Sequence, residues 1–229
     1  MGNQPSRADR ILDAAGSLLL RYGYRKVTIE DISRQAGIGK GTVYLHWRTK
    51  QELFEALLRR ASSTVLEELR AGLRADPAEV RPHRIVRSSF LICLRHPLVM
   101  ALFTGDVEML GQLRDSPHAG QDQAATDHTL EILTRHGLLR GDVPNLRYAL
   151  SATQNGFYLS ESLDPDSEAL DHEAKADALA HIVRAAFEPS GKPSRRVLAA
   201  AADELGALFD NIIGEYQKWI YSDDDGETS

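Results

Sequence analysis

Thr28 to Lys50 reads TIEDISRQAGIGKGTVYLHWRTK. Thr28 with Asp31 three residues on is a helix-capping pair, and Ile29 and Ile32 follow at helical spacing before Gly37 ends the segment. A second short helix from Lys40 to Trp47 follows at once. Glycine at position 37 suits the left-handed backbone that a tight helix-to-helix turn demands. The pattern predicts a helix-turn-helix: Ile29 and Ile32 lock the first helix, Ile38 plugs the turn and Val43 anchors the second. Such a second helix fits a DNA major groove, about 12 Å wide. Its outward positions, Lys40, Thr42, Tyr44 and His46, suit phosphates and base edges, and Gly39 and Gly41 let the backbone come close. Two helices around a glycine also occur in domains that touch no DNA.

Outward from this segment, apolar spacing stays helical. Ile11, Leu12, Ala15, Leu18 and Leu19 form one face of a helix capped by Ser6 with Asp9 and stopped at Tyr22-Gly23-Tyr24. Thr49 with Glu52 opens a long helix through about Leu73, broken by Asp76-Pro77. Further helices are expected over about 78–94, from Pro97 towards Met109, and over 124–136, 145–162, 168–187 and 194–221, with 115–123, 137–144 and 163–167 as loops. No alternating strand pattern and no internal repeat occurs. The fold class is all-α: an N-terminal three-helix head (6–48), a long helix into a helical body (49–221), and an acidic tail (222–229) expected to be disordered.

The chain has 229 residues, 42% of them apolar, and a net charge of −6. That charge is divided: residues 1–60 carry +5 and the remainder −11, a division that suits a nucleic-acid-facing end on an acidic body, although +5 over sixty residues is also ordinary surface. Cys93 is the only cysteine, which excludes an internal disulfide framework and a cysteine zinc cluster and fits a reducing compartment. No apolar run reaches the roughly 18 residues of a membrane span, and no secretory signal opens the chain, so a cytoplasmic protein without membrane contact is expected. Gly2 with Ser6 matches the short myristoylation pattern, which chance supplies often.

Catalytic and cofactor motifs are missing: there is no Gly-x-Ser-x-Gly and no His-Glu-x-x-His. Gly37-Ile38-Gly39-Lys40-Gly41-Thr42 follows no strand and has glycine where a phosphate loop needs Ser or Thr. His128 and His136 share a helix face, and a lone pair of this kind is more often surface or core than metal-binding. The reading is therefore no enzyme, no cofactor and no metal. An enzyme, or an interaction module whose helix-turn-helix no longer binds DNA, is the alternative.

Thr28 through Phe54 resembles the DNA-binding signature of the TetR family of bacterial transcriptional regulators. The shared features are Thr-Ile-x-Asp-Ile, the Ala-Gly-Ile turn, Lys-Gly-Thr-Val-Tyr, His-Trp, and Thr-Lys-x-x-Leu-Phe opening the fourth helix. The resemblance spans Ser6 to about Leu58. It implies a homodimer on double-stranded DNA, a palindromic operator, and a repressor released by a small-molecule effector. By position it implies phosphate contacts from Thr28, Tyr44 and Lys50, major-groove contact from Lys40, Gly41 and Thr42, and backbone contact from His46. Two positions depart from the pattern. Gly39 stands where Ser or Thr commonly caps the second helix, and Trp47 replaces phenylalanine and reads as head packing.

In the body, Ala149, Ala152, Thr153, Gly156 and Ser160 form one small-residue row and Ala174, Ala178 and Ala185 another. Small rows permit close helix approach, either within one subunit or, as the resemblance implies, in a four-helix dimer interface. Phe90, Cys93, Phe103, Met109, Tyr148 and Tyr158 are aromatic or sulfur-bearing candidates for an effector pocket, although stripes at helical spacing are usually core. Gln154 and Asn155, amides on an apolar helix, are the polar candidates, so a mostly apolar effector is expected. The stripe on 194–221 must cover the body, extend a dimer interface or close a pocket, and the sequence does not choose.

Overall fold

The computed structural model describes residues 6–115, 117–163 and 170–221, and every element among them is helical. In chain order these are α1 (Arg7–Lys26), α2 (Ile29–Ala36), α3 (Lys40–His46), α4 (Lys50–Ala75), α5 (Pro82–Leu94), α6 (Pro97–Thr104), α7 (Val107–Leu110), α8 (Pro117–Arg135), α9 (Leu146–Leu163), α10 (His172–Phe187) and α11 (Arg195–Ile220). Short 3-10 turns cover Pro77–Val80 and Gly111–Asp115. The acidic tail and most of 163–167 lie outside the described residues.

Two compact units are present, and they cut across the chain. One comprises residues 1–63, 97–120 and 214–229, the other 64–96 and 121–213. The first unit buries Ile11, Leu12, Leu19, Ile32, Val43, Leu53, Phe54 and Leu58 in one core, joined by Leu110 and Leu113. Gly23 breaks α1 at φ 73° as the sequence implies, but the helix resumes to Lys26. The break also lets the backbone of α7 approach, since a Cβ on Gly23 would sit 2.7 Å from the Glu108 carbonyl oxygen.

The second unit is built on α5 and α10. α10 buries Ala176, Leu179, Ala180, Val183 and Phe187, and α5 buries Ile85, Val86, Phe90, Ile92 and Cys93. Glu188, just past α10, locks the pair: it accepts the His83 backbone N–H at 2.8 Å and the Arg81 guanidinium at 2.8 Å, and pairs with His83 Nδ1 at 2.6 Å. A carboxylate there also faces the positive end of the α5 helix dipole.

Two expected boundaries move. Residues 115–123, read as a loop, begin α8 at Pro117 instead. Proline, a breaker inside a helix, is pre-set for its first turn, where its missing N–H has no partner to lose. The expected helix 78–94 divides at Pro82 for the same reason, leaving a 3-10 turn capped by Asp76 ahead of α5.

Gly23→Ala is expected to cost about 2 kcal/mol or more, from strain at positive φ and the contact with Glu108, lowering Tm by roughly 4–8 °C in a thermal melt. Burial alone would raise the Glu188 carboxyl, but the His83 side chain, its backbone N–H and Arg81 together hold it below its ordinary 4.5. Its stabilisation is therefore complete above pH 4.5 and disappears as the pH falls through the lowered value. In melts across pH, Glu188→Gln should fall below wild type near neutrality and converge with it in acid.

Candidate nucleic-acid interface

Within the first unit, α2 starts on a reciprocal cap. Thr28 Oγ1 accepts the Asp31 N–H at 3.1 Å, and Asp31 Oδ2 accepts the Thr28 N–H at 3.1 Å. The Thr28 hydroxyl also donates to Asp31 Oδ2 at 2.6 Å, which holds the carboxyl below its usual range. Gly37 ends α2 at φ 67°, ψ 37°, and the Ile38 N–H returns to the Ser33 carbonyl at 3.0 Å. This left-handed turn sets the course of α3.

α3 starts at Gly39 without a side-chain cap, as the substitution of glycine there implies. Val43 is buried on its inner face and Trp47 at its C-terminal end. The Trp47 ring packs in the head, and its indole Nε1 is a buried donor with no hydrogen-bond partner among the described residues. Outward, Tyr44 is 44% exposed and Leu45 72% exposed. Lys40, Gly41 and Thr42 form the first turn: Lys40 and Gly41 are exposed, Thr42 is half-buried, and no heavy atom would lie within 4 Å of a Cβ on Gly41. His46 is half-buried against the Trp47 ring, centroids 5.4 Å apart.

Lys40 Nζ lies 2.6 Å from Glu30 Oε1, and both side chains are open to solvent. Its pKa is raised by the hydrogen bond and charge of Glu30, so a phosphate would find it fully charged. Lys50 differs. Its ammonium donates to the Tyr24 carbonyl and sits 4.2 Å from the centre of the Tyr24 ring, and burial pushes its pKa down. It is turned onto α1 rather than outward. Thr28 likewise spends its hydroxyl on the cap while staying at the surface.

The sequence reading passed over Leu45 and the exposed cations Arg34 and Arg48. Leu45 carried a signal: an apolar residue two places after the buried Val43 must point away from the core. Arg34 and Lys26 line a cleft of about 510 Å³ with Leu18, Tyr22, Val27, Asp31 and Gln35.

A short helix anchored by Val43, bare on its outer face and set by a left-handed glycine, is the geometry of a DNA-reading head. Residues 11–57 match the family model for bacterial regulatory proteins, tetR family. The head is similar to that of the TetR family. Over 70 residues the chain is 40% identical to the uncharacterized HTH-type transcriptional regulator YvkB of Bacillus subtilis, covering 29% of this chain and 37% of that one. The curated relatives are matched over only about a third to a half of their length. Beyond the head the likeness is one of fold. The transcriptional regulator FadR from Bacillus subtilis, in complex with stearoyl-CoA, aligns at TM-score 0.59 and 15% identity over 76% of this chain and 96% of its own. A tetR-family regulator from Streptomyces coelicolor aligns at 0.56 and 21% over 93% and 90%.

In the second unit, Phe90, Cys93 and Tyr158 are fully buried and packed on one another, Phe90 and Tyr158 with ring centroids 5.4 Å apart. Gln154 donates to the Tyr158 hydroxyl at 3.4 Å. Tyr148, 76% exposed, and Asn155 face solvent. Those six are core and surface rather than the lining of one cavity, while Phe103 and Met109 belong to the head's unit. The cavity in the second unit measures about 230 Å³ and is lined by α4, α5 and the turn between them, with Leu69, Leu73, Ile85, Leu91 and Ile92 against Glu68, Glu79, Ser88 and Arg95.

The small rows fare differently. On α9, Ala152, Gly156 and Ser160 are exposed and Ala149 and Thr153 half-buried; on α10, Ala174, Ala178 and Ala185 are exposed, on the side opposite its core face. Ser160 and Thr153 donate their hydroxyls back to Gly156 and Ala149 of their own helix. With Leu159 and Ile182 also exposed, these helices carry an apolar outer surface.

Salt-dependent binding separates the two lysines. Lys40→Ala should lower the slope of log affinity against log salt by about one phosphate contact per head. Lys50→Ala should weaken binding with the slope unchanged, since its ammonium serves Tyr24.

Proposed function

We propose that this chain is a ligand-responsive DNA-binding transcriptional regulator, a repressor that sits as a homodimer on a palindromic operator and leaves it when a small, mostly apolar effector binds. The observation that carries the reading is the outer face of α3, where Lys40, Gly41, Thr42, Tyr44 and Leu45 are presented with Val43 buried behind them. Lys40, Tyr44 and His46 take phosphates, Gly41 and Thr42 allow close approach in the major groove, and Leu45 suits a thymine methyl. Thr28 offers its exposed surface at the start of α2, and Lys50 acts through its hold on α1. Two such heads reading one face of a duplex need half-sites about 34–36 Å apart.

The dimer reading draws on the outer surface of α9 and α10. An apolar face of small residues whose hydroxyls are satisfied within their own helix suits close helix packing against a two-fold mate. For the effector, the α4–α5 cavity replaces the residues the sequence singled out: five aliphatic side chains with a serine and three charged groups at its edge fit a compact apolar molecule with one or two polar atoms. The fold's neighbour FadR was solved in complex with stearoyl-CoA, a molecule with a long apolar part. α4 begins beside the recognition helix and lines the cavity further on, so a ligand that favours another setting of α4 shifts operator affinity; coupling of about 1–3 kcal/mol is usual.

Native mass spectrometry tests the assembly. The wild type should run at twice its 25.3 kDa chain mass, and Ala178→Arg, which puts a charge in the middle of the face, should run as monomer and bind operator DNA at least about tenfold more weakly. A mobility-shift assay with a duplex selected from random sequence tests the function, and wild-type protein that selects none removes it. In a thermal-shift library, stabilisers should be compact and apolar, and Ser88→Trp, which fills the cavity, should abolish their shifts.

A further inference from the structure

The last turns of α11 belong to the compact unit of the recognition head, where they end on α1 and α4. Tyr216 and Ile220 are buried there, the Trp219 ring lies 3.8 Å from the Arg59 guanidinium carbon, and the Tyr221 hydroxyl donates to Asp9 Oδ1 at 2.7 Å. Each contact opens onto a polar chain. Arg59, only 3% exposed, lies 3.5 Å from Glu55 Oε2, and Glu55 Oε1 accepts from Gln51 at 2.9 Å. This ladder climbs α4 in steps of four to the residue beside Lys50, which holds the Tyr24 carbonyl. On α1, Asp9 accepts also from Ser6, the N-cap, and lies 3.6 Å from Arg60, whose other nitrogen holds Asp13 at 2.7 Å.

A buried carboxylate and guanidinium are costly to desolvate and gain back that cost only in a well-defined geometry. An apolar pair would stabilise the head as well, but would leave the roll of α4 against α1 less sharply set. α2 and α3 pack on α1, so that roll governs how α3 is presented. The aromatic face over Arg59 and the hydroxyl on Asp9 therefore act at the foot of the two helices on which the recognition helix rests.

We propose that Trp219 and Tyr221 are positioning residues for DNA binding: the last turn of α11 fixes α1 against α4 in the arrangement that presents α3. The proposal rests on the DNA-binding reading above and gives the C-terminal helix a task beyond covering the body.

The test uses the full chain and a duplex that the wild type selects from random sequence. Trp219→Ala should weaken binding about tenfold and Tyr221→Phe, which removes one oxygen, about three- to fivefold, as when the competent head falls to a tenth or a third of the population. Trp219→Phe keeps an aromatic face for Arg59 and should stay within about twofold, and Gln217→Ala, on the exposed side of α11, should match wild type. Native mass and the salt slope should not change, since both residues act through α1 and α4 in this role. In free protein, amide exchange should quicken over residues 7–26 and 50–60 in both weakened variants and stay unchanged over α10. Wild-type affinity in Trp219→Ala and Tyr221→Phe, or a loss without faster exchange in α1 and α4, overturns the proposal while leaving DNA binding standing. A wild type that selects no duplex overturns the DNA-binding reading itself and this role with it.

Discussion

A helix of seven residues has no stability of its own in water, because nucleating a helix costs more than so few hydrogen bonds return. α3 exists only because its surroundings hold it, and it must be held from one side if the other is to read DNA. Val43 and Trp47 supply that hold from beneath and from the end, Gly37 supplies the one backbone state that turns α2 into it, and the Thr28–Asp31 cap keeps α2 from fraying at the other end. The outer residues are then free to be chosen for what they touch. A glycine at position 39, which adds no cap, leaves this short helix still more dependent on its mount.

The head was legible in the sequence because its determinants are local. Thr28 meets Asp31 three residues away and Gly37 acts at its own φ, so reading along the chain finds both. The hold of Lys50 on α1 is not legible along the chain because its destination is not local: the Tyr24 carbonyl lies twenty-six residues back, and no periodicity reveals whether a lysine at a helix start faces outward or folds onto a ring. Residues 115–123 read as a loop for want of apolar residues, although a proline suits the first turn of a helix and α8 begins at Pro117. The aromatic and sulfur residues of 90–158 illustrate a different limit. Their spacing announces an apolar face, but only packing distinguishes a filled face from a hollow one, and around Phe90, Cys93 and Tyr158 it is filled. For α10 the spacing revealed a row of small residues, and exposure shows that the face of Leu179 and Val183, not that row, is the inward one.

The acidic body uses its carboxylates at helix ends. Glu68 pairs with Arg95 and His96, and Glu204 with Arg135 and His136, each pair of cations standing at a helix C-terminus where the backbone dipole is negative. Glu188 does the converse at the N-terminus of α5. In all three a glutamate on or just past one helix meets the end of another, so charge helps set where helices stop against each other. The surplus of negative charge is kept to the part of the chain beyond residue 60.

Cys93 has one more consequence. Its thiol is sealed in the second unit beside Ser89 and Tyr158, and burial pushes its pKa up, so almost none of it is thiolate in the folded chain. Because it is the sole sulfhydryl, an alkylating reagent has a single target and can reach it only when the surrounding helices part. The rate of labelling thus measures the opening of this unit directly, and a small molecule that tightens it would announce itself as a slower reaction, without any dye, tag or DNA in the tube.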